Sequence, residues 1–314
     1  MSLSPALLRR QDDQTSRAVI EALESYAPFI TLAAVETEAI MKRDEEDGVK
    51  LADGIKLAQE KKVLPVLSEP PQYQRIDVQG KPADAVAEEI ITALGAAKDS
   101  GCVCIIVGLS GTGKGTTVSK LQQRIPAAST WSNGNLFRCL TLLALEHCKQ
   151  KGVDASQLEG ELTPENLQAW MGMLEFGQFG GDFDIKITGL GLAGTVSEWA
   201  TTVLKSADIG KNIPVVARVT QGEVVSFAAT AITTMASAGR VILLEGREQT
   251  VDFIPSPYRF CLTLADTSII GKRQAAMKLS AQVVKALADE ASHDDILAAL
   301  QREVDAEKAK HTMI

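Results

Sequence analysis

The chain is predicted to form an α/β fold, a three-layer α/β/α arrangement around a mostly parallel sheet, preceded by an amino-terminal accessory segment. Strand-like apolar runs at residues 102–107, 240–244 and 258–264 alternate with helix-length stretches at 113–124, 134–150, 222–237 and 266–289. The first run, Cys102-Val103-Cys104-Ile105-Ile106-Val107, passes directly into a glycine-rich turn that opens a helix. With 314 residues, 45% hydrophobic and 23% charged, the chain is long enough to bury a large core and has the composition of a globular protein.

Ahead of that unit, residues 15–23 show helical spacing through Val19, Ile20 and Leu23, and a second apolar segment covers 29–35. Lys42-Arg43-Asp44-Glu45-Glu46-Asp47 is a mixed charge run, read as a solvated helix end or loop. Pro65, Pro70 and Pro71 argue for a turn or linker. Residues 73–78 then read as a short strand with a turn at Gly80. A helix from Pro82 carries Val86, Ile90 and Leu94 on one face and stops at Gly95. Residues 96–101 mark a boundary, which divides the chain into an accessory segment, 1–97, and a main domain, 98–314.

The turn itself is Gly108-Leu109-Ser110-Gly111-Thr112-Gly113-Lys114-Gly115-Thr116, with Thr117 following. Glycines let the backbone wrap closely enough for successive N–H groups to point at phosphate oxygens, and Lys114 adds a charged donor. Such a loop at a helix start is a cradle for the phosphates of a nucleoside triphosphate. The hydroxyl that usually follows the lysine directly is displaced here to Thr116 and Thr117, so Thr116 is expected nearest a magnesium ion, which takes hard oxygen ligands.

Charge and cysteine usage exclude other classes. The net charge of −8 lacks the clustered Lys and Arg that a nucleic-acid surface needs. The five cysteines, Cys102, Cys104, Cys139, Cys148 and Cys261, are widely spaced in mostly apolar runs and read as reduced core residues. His147, His293 and His311 have no spacing that makes a metal site or a nucleophile pair, and read as structural or exposed. No apolar run is long enough to cross a bilayer and no apolar signal core opens the chain, so the expected location is the cytoplasm, with no membrane partner. The oligomeric state is left open, with a monomer as the default.

Two further phrases carry chemistry. Ser132-Asn133-Gly134 marks a turn before a helix that begins with Phe137-Arg138, and a guanidinium there, in a cleft facing the loop, grips a phosphate bidentately. The apolar run ending at Leu244 delivers Glu245-Gly246-Arg247-Glu248 to the carboxyl end of a strand, where ligands gather in such sheets. Without the loop, each phrase reads as a surface arginine or a strand-end ion pair.

Together these segments resemble the bacterial-type cytidylate kinases, a nucleoside-monophosphate kinase family built on a P-loop, over approximately residues 100–314. Ser132, Asn133, Gly134 and Phe137-Arg138 stand where the family has an Asp-Ser-Gly phrase and an aromatic-Arg pair. Glu245-Gly246-Arg247-Glu248 stands for its Asp-Gly-Arg-Asp, and Arg218 lies in a segment similar to its Ile-Arg-Thr-x-Glu-Val. The stretch from Phe260 to Lys272-Arg273 looks like its strand and lid helix. The residue 73–94 phrase looks like the closing unit of many nucleotide kinases, displaced here to a position before the loop. It is read as a remnant of a second kinase domain or, preferably, as an accessory helical segment.

The resemblance implies ATP- and Mg2+-dependent phosphoryl transfer to a nucleoside monophosphate, CMP or dCMP. Gly108, Ser110, Gly111, Thr112, Gly113, Lys114, Gly115, Thr116, Thr117 and Lys272 would bind the nucleotide cofactor. Ser132, Asn133, Gly134, Arg138, Arg218 and Arg247 would bind the acceptor. Lys114, Arg247 and Arg273 would be catalytic, and Thr116 with Glu245 would hold the metal, Glu245 through bound water. Residues 152–214 correspond to a monophosphate-binding insert whose glycines, from 177 to 181 and 189 to 194, suit a closing element, and 266–290 to a lid. The family's aspartate and serine at the acceptor are Ser132 and Asn133 here, and the lid is poorer in arginine. Two alternatives follow: a nucleotide-binding protein without transfer activity that contacts a partner, and a kinase of another small metabolite.

Overall fold

The computed structural model describes residues 2–312, with the side chains of 311 and 312, His311 among them, outside the described set. Three helices, α1 (Pro5–Arg10), α2 (Asp13–Leu23) and α3 (Ala27–Glu60), precede strand β1 (Gln74–Asp77). Helix α4 (Ala83–Leu94) and the short α5 (Ala97–Ser100) lead to β2 (Cys102–Gly108), α6 (Lys114–Arg124), β3 (Ala128–Trp131) and α7 (Asn133–Lys151). Next come α8 (Pro164–Met171), β4 (Leu174–Phe179), β5 (Asp182–Gly189), β6 (Leu192–Thr195), α9 (Val196–Trp199) and α10 (Ala207–Ser237). Strand β7 (Val241–Glu245), α11 (Glu248–Val251), β8 (Tyr258–Thr263), α12 (Ser268–Val283) and α13 (His293–Thr312) follow.

The main sheet has five strands in the order β1-β8-β2-β7-β3, and every pairing is parallel. Side chains of a strand alternate between its faces. Val103, Ile105 and Val107 of β2 therefore enter one apolar cluster with Leu140 of α7 and Val225 of α10, while Cys104 and Ile106 enter another with Ile90 of α4 and Leu121 of α6. Burial on both faces is why β2 reads as an unbroken apolar run. Helices on the two faces make the arrangement compatible with a three-layer α/β/α fold.

The expected boundary at 97/98 does not separate the sheet from what precedes it. Ile76 of β1 lies in register with Leu262 of β8, and the Val78 N–H continues the pairing to the Thr263 carbonyl at 3.0 Å. Ile76, Val78, Val86, Ile90 and Leu94 belong to the same core as Ile106. Residues 74–94 are thus an edge strand and a covering helix of the sheet itself. Local boundaries follow the sequence closely here, with Pro82 at the start of α4 and Gly95, φ +53°, at its end.

The charge run 42–47 is neither a helix end nor a loop, because it lies inside the 34-residue helix α3. Phe29, Leu32, Glu36, Ile40 and Asp44 recur every three or four residues along its buried side. Glu36 accepts a hydrogen bond from Lys278 Nζ of α12 at 2.5 Å, which satisfies one of the two acids on that stripe. Glycines bring the neighbours close: a Cβ on Gly271 of α12 would lie 2.0 Å from the Ala33 carbonyl oxygen, and one on Gly222 of α10 would lie 2.4 Å from Ala58 Cβ. Around this packing, Leu8, Val19, Leu23, Phe29 and Leu32 form one cluster with Leu279 of α12 and Ile296 and Leu300 of α13. The expected lid is therefore built into a helical layer shared by both ends of the chain.

Helix α10 begins at Ala207, well before the expected 222, and carries Pro214 inside it. The proline removes one i→i−4 hydrogen bond and the helix continues past it. The glycines between 177 and 194 serve a three-stranded antiparallel meander, β4-β5-β6. Gly180 and Gly181 (φ 64° and 98°) and Leu190 and Gly191 (φ 52° and 77°) make its two-residue turns, which need positive φ at both positions. Phe176 of β4 meets Trp131 edge-on, with ring centroids 5.9 Å apart, so the meander packs on the end of β3. Among the described residues, no helix is long and apolar enough to cross a membrane.

A chain that begins at residue 98 loses the edge strand and much of two cores, and is expected to show no cooperative unfolding transition by far-UV circular dichroism. Gly271→Ala is expected to lower stability by about 3 kcal/mol, the upper end for overpacking, since a backbone oxygen cannot step aside. Gly160→Ala, at a position with open space around it, should stay within about 0.5 kcal/mol of the parent in the same thermal melts.

Candidate functional site

Strand β2 ends at Gly108 and α6 begins at Lys114, so the glycine loop delivers its amides to a helix start. Gly108 (φ 141°), Gly111 (φ 80°) and Gly113 (φ 89°) have positive φ, and a Cβ at Gly108 would lie 2.5 Å from the Leu262 carbonyl oxygen of β8. Only glycine fits that last position. Among the described residues, the N–H groups of Gly111, Gly113, Lys114, Gly115 and Thr116 find no acceptor in the protein. The Ser110 and Thr112 amides are taken, by Asp44 at 2.7 Å and by the Leu109 carbonyl at 3.3 Å. Lys114 Nζ rests on the carbonyls of Gly108 and Leu109, at 2.9 and 3.0 Å. Burial lowers its pKa, and the neighbouring Glu245 carboxylate opposes that shift.

The loop forms a wall between two cavities. One, of about 560 Å³, is lined by Gly111, Gly113, Thr116, Thr117 and Arg273, with Lys81 from the turn after β1. The other, of about 610 Å³, is lined by Ser110 and Lys114, by Ser132, Asn133 and Gly134 at the start of α7, and by Glu245 and Arg247 after β7. Gly115 borders both. A larger space of about 780 Å³, lined by Asp44 and other residues of α3, by Arg247 and by Gly108, Leu109 and Thr112 of the loop, includes none of the residues that carry the five unpaired amides.

Thr116 and Glu245, paired in the sequence reading, face different cavities. Glu245 nonetheless reaches the loop, its Oε2 lying 3.5 Å from where a Gly115 Cβ would stand. Arg273 donates to the Gly111 carbonyl at 3.3 Å, and burial lowers its pKa. Its neighbour Lys272 lines neither cavity and acts electrostatically on Asp266. Asn133 accepts a hydrogen bond from Trp131 Nε1 at 2.8 Å, which fixes the turn before α7. Two expected acceptor residues do not themselves line the cleft, although the Arg138 guanidinium lies 3.2 Å from where a Cβ on the cleft-lining Gly134 would stand. Arg138 donates to Asn135 one turn back in α7 at 3.2 Å, and Arg218 of α10 pairs with Glu159 on the surface. In the Arg218 segment it is Gln221, buried against Gly54 of α3, that lines the cleft.

Sequence reasoning missed Asp44. Its side chain is 4% exposed, and it accepts from Ser110 Oγ and from Arg247 Nη2, each at 2.6 Å, besides the Ser110 amide. Burial alone would raise its pKa, but the Arg247 guanidinium and the Ser110 donors outweigh this and hold the carboxyl well below the usual carboxylate range. The signal was present: Asp44 stands four residues after Ile40 and eight after Glu36, in the register of the buried stripe. Lys114 and Arg247 against Asp44 and Glu245 leave this centre with balanced charge.

The other histidines fall as expected: His147 Nε2 lies 3.0 Å from Glu161, and His293 Nδ1 accepts the Leu3 amide at 3.0 Å. All five cysteines are free and buried.

Because the folded pKa of Asp44 lies below its unfolded value near ~3.9, the unfolded chain binds the extra proton in acid. The stabilisation from this carboxylate is thus present above about pH 4 and is lost as the pH falls below it. Asp44→Ala is expected to cost about 3 kcal/mol near pH 7, the lower end for a broken buried pair because Arg247 is 27% exposed, with the difference from the parent shrinking below about pH 4 in urea titrations. Compared with known proteins, the chain matches no family model and no curated protein.

Proposed function

We propose that this protein is an ATP- and Mg2+-dependent phosphotransferase acting on a nucleoside monophosphate, with CMP or dCMP the leading acceptors. The observation that carries the reading is the glycine loop: five unpaired amides and Lys114 set between two cavities, one on each side. A transferase that moves a phosphoryl group between two bound nucleotides needs two sites that meet at the phosphate-binding loop, as these two cavities do at Gly115, since its catalysis is positioning and charge stabilisation. The cavity beside Thr116, Thr117 and Arg273 suits the donor, and the one beside Ser132, Asn133 and Gly134 suits the acceptor. Lys114 and Arg247 line the acceptor-side cavity, where they would neutralise charge on the phosphoryl group.

The residues present fit a magnesium ion. No three His, Cys, Asp or Glu side chains cluster as metal ligands among the described residues, and magnesium is usually held through phosphates and water with one or two protein oxygens. Thr116, on the donor side, would be the direct protein oxygen, and Glu245, which lines the other cavity, would reach the ion only through bound water; the ion would neutralise charge on the phosphates. No general base is required, because a phosphate oxygen of the acceptor is itself the nucleophile. The 73–94 phrase lies outside the segment that carries the resemblance to cytidylate kinases, and it forms the edge of the same sheet. The unit that closes many nucleotide kinases sits early in this chain yet lies in the sheet beside β8.

A second reading, a nucleotide-binding protein without transfer activity, is favoured by one observation: Arg218 pairs with Glu159 on the surface, away from the acceptor cleft. A panel of acceptors with ATP and Mg2+ separates the two. Conversion of CMP to CDP is expected, with Lys114→Ala reducing turnover by roughly 10²–10³-fold, the effect of removing one charge-stabilising donor. Calorimetric ATP binding without product from any acceptor supports the second reading. Product only from an unrelated acceptor points to a different metabolite, and no ATP binding at all sinks every version.

A further inference from the structure

The contact between Asp44, Ser110 and Arg247 is not used by the reading above, although it joins three segments that are distant in the chain. Asp44 comes from α3, Ser110 from the glycine loop and Arg247 from the exit of β7. The carboxylate accepts from the Ser110 amide at 2.7 Å, from Ser110 Oγ at 2.6 Å and from Arg247 Nη2 at 2.6 Å. Arg247 Nη2 also reaches Ser110 Oγ at 3.3 Å, which closes the triangle. Asp44 occupies only the Ser110 amide and leaves the five unpaired amides of the loop open, so it fastens the rim of the cradle without filling it.

We propose that Asp44 is a positioning residue: it locks the Arg247 guanidinium and the glycine loop into one fixed relation, so that the groups gripping the two phosphates are held in register before either arrives. This rests on the phosphotransferase reading. An arginine side chain loses much rotamer freedom when it is fixed on a ligand, and a buried carboxylate removes that freedom in advance. A guanidinium has five N–H donors. With Nη2 committed to Asp44 and Ser110, those on Nη1 and Nε remain for phosphate oxygens. Displacement of a positioned group by about 1 Å can lower a rate by roughly 10². Helix α3 thereby becomes part of the reacting centre through Asp44, besides lining the acceptor-side cavity with Leu51.

The test uses the full chain and steady-state kinetics with ATP, Mg2+ and CMP, on a double-mutant cycle of Asp44→Asn and Arg247→Ala. Asp44→Asn is expected to lower kcat by roughly 10–100-fold while KM for ATP changes by less than about threefold. In the Arg247→Ala background the same substitution should lower kcat by less than about threefold further, because the residue it positions is gone. Asp44→Glu, which keeps the charge, should recover part of the loss. If Asp44→Asn does not fold, Ser110→Ala removes one side of the triangle more gently and should show the same dependence on Arg247. Equal losses in both backgrounds would overturn the proposal and leave a purely structural acid. Tighter ATP binding with faster turnover in Asp44→Asn would also overturn it, because Asp44 would then be an internal anion that competes with substrate. No turnover by the parent protein with any acceptor overturns the phosphotransferase reading and this role together, whereas an active parent with additive losses overturns this role alone.

Discussion

The structure depends on how closely one helix can be gripped. Helix α3 runs between α10 and α12, and its neighbours approach it only because Gly222 and Gly271 carry no side chain. That proximity has a chemical result. It sets Glu36 against Lys278 and carries Asp44 to the glycine loop, where a carboxylate away from water would be strongly unfavourable without Arg247 and two donors from Ser110. Backbone packing and electrostatics therefore specify the same position for α3, and a shift of the helix would disturb both.

Much of the sheet was legible because its signals are local. The run 102–107, the glycines after it and the strands ending at Leu244 and near Thr263 announce themselves over a few residues. The turn residues Pro82 and Gly95 place α4 within a residue or two. What could not be read was pairing. Nothing around Gln74–Asp77 says that its partner is Tyr258–Thr263, since strand order is set by packing across the whole chain. Length was hidden as well. The acids and bases of 42–47 resemble a solvated loop in composition, and their helical register emerges only when counted from Phe29, through Ile40.

The candidate site divides in the same way. Lys114, Ser132, Asn133, Glu245 and Arg247 converge because each sits at the carboxyl end of a strand or in the turn and helix start that follow it, a place fixed by the α/β topology. Arg138 and Arg218 lie on helices, where the direction of a long side chain is decided by the nearest acceptor. Asn135 and Glu159 provide those acceptors, and neither is recognisable as such from the sequence. Gln221 reaches the cleft instead of Arg218 because it lies three residues further along α10, against Gly54.

The early position of β1 bears on synthesis. Translation delivers this edge strand, with α4, long before β8, the only strand it pairs with. Helix α4 can cover Val86 and Ile90 against β2 and α6 soon after they emerge, but the edge pairing of β1, and with it the sheet, can close only when β8 is made. During that interval the hydrogen-bonding edge of Gln74–Asp77 has no strand to pair with, an exposure that a chain with the same strand at its carboxyl end would avoid.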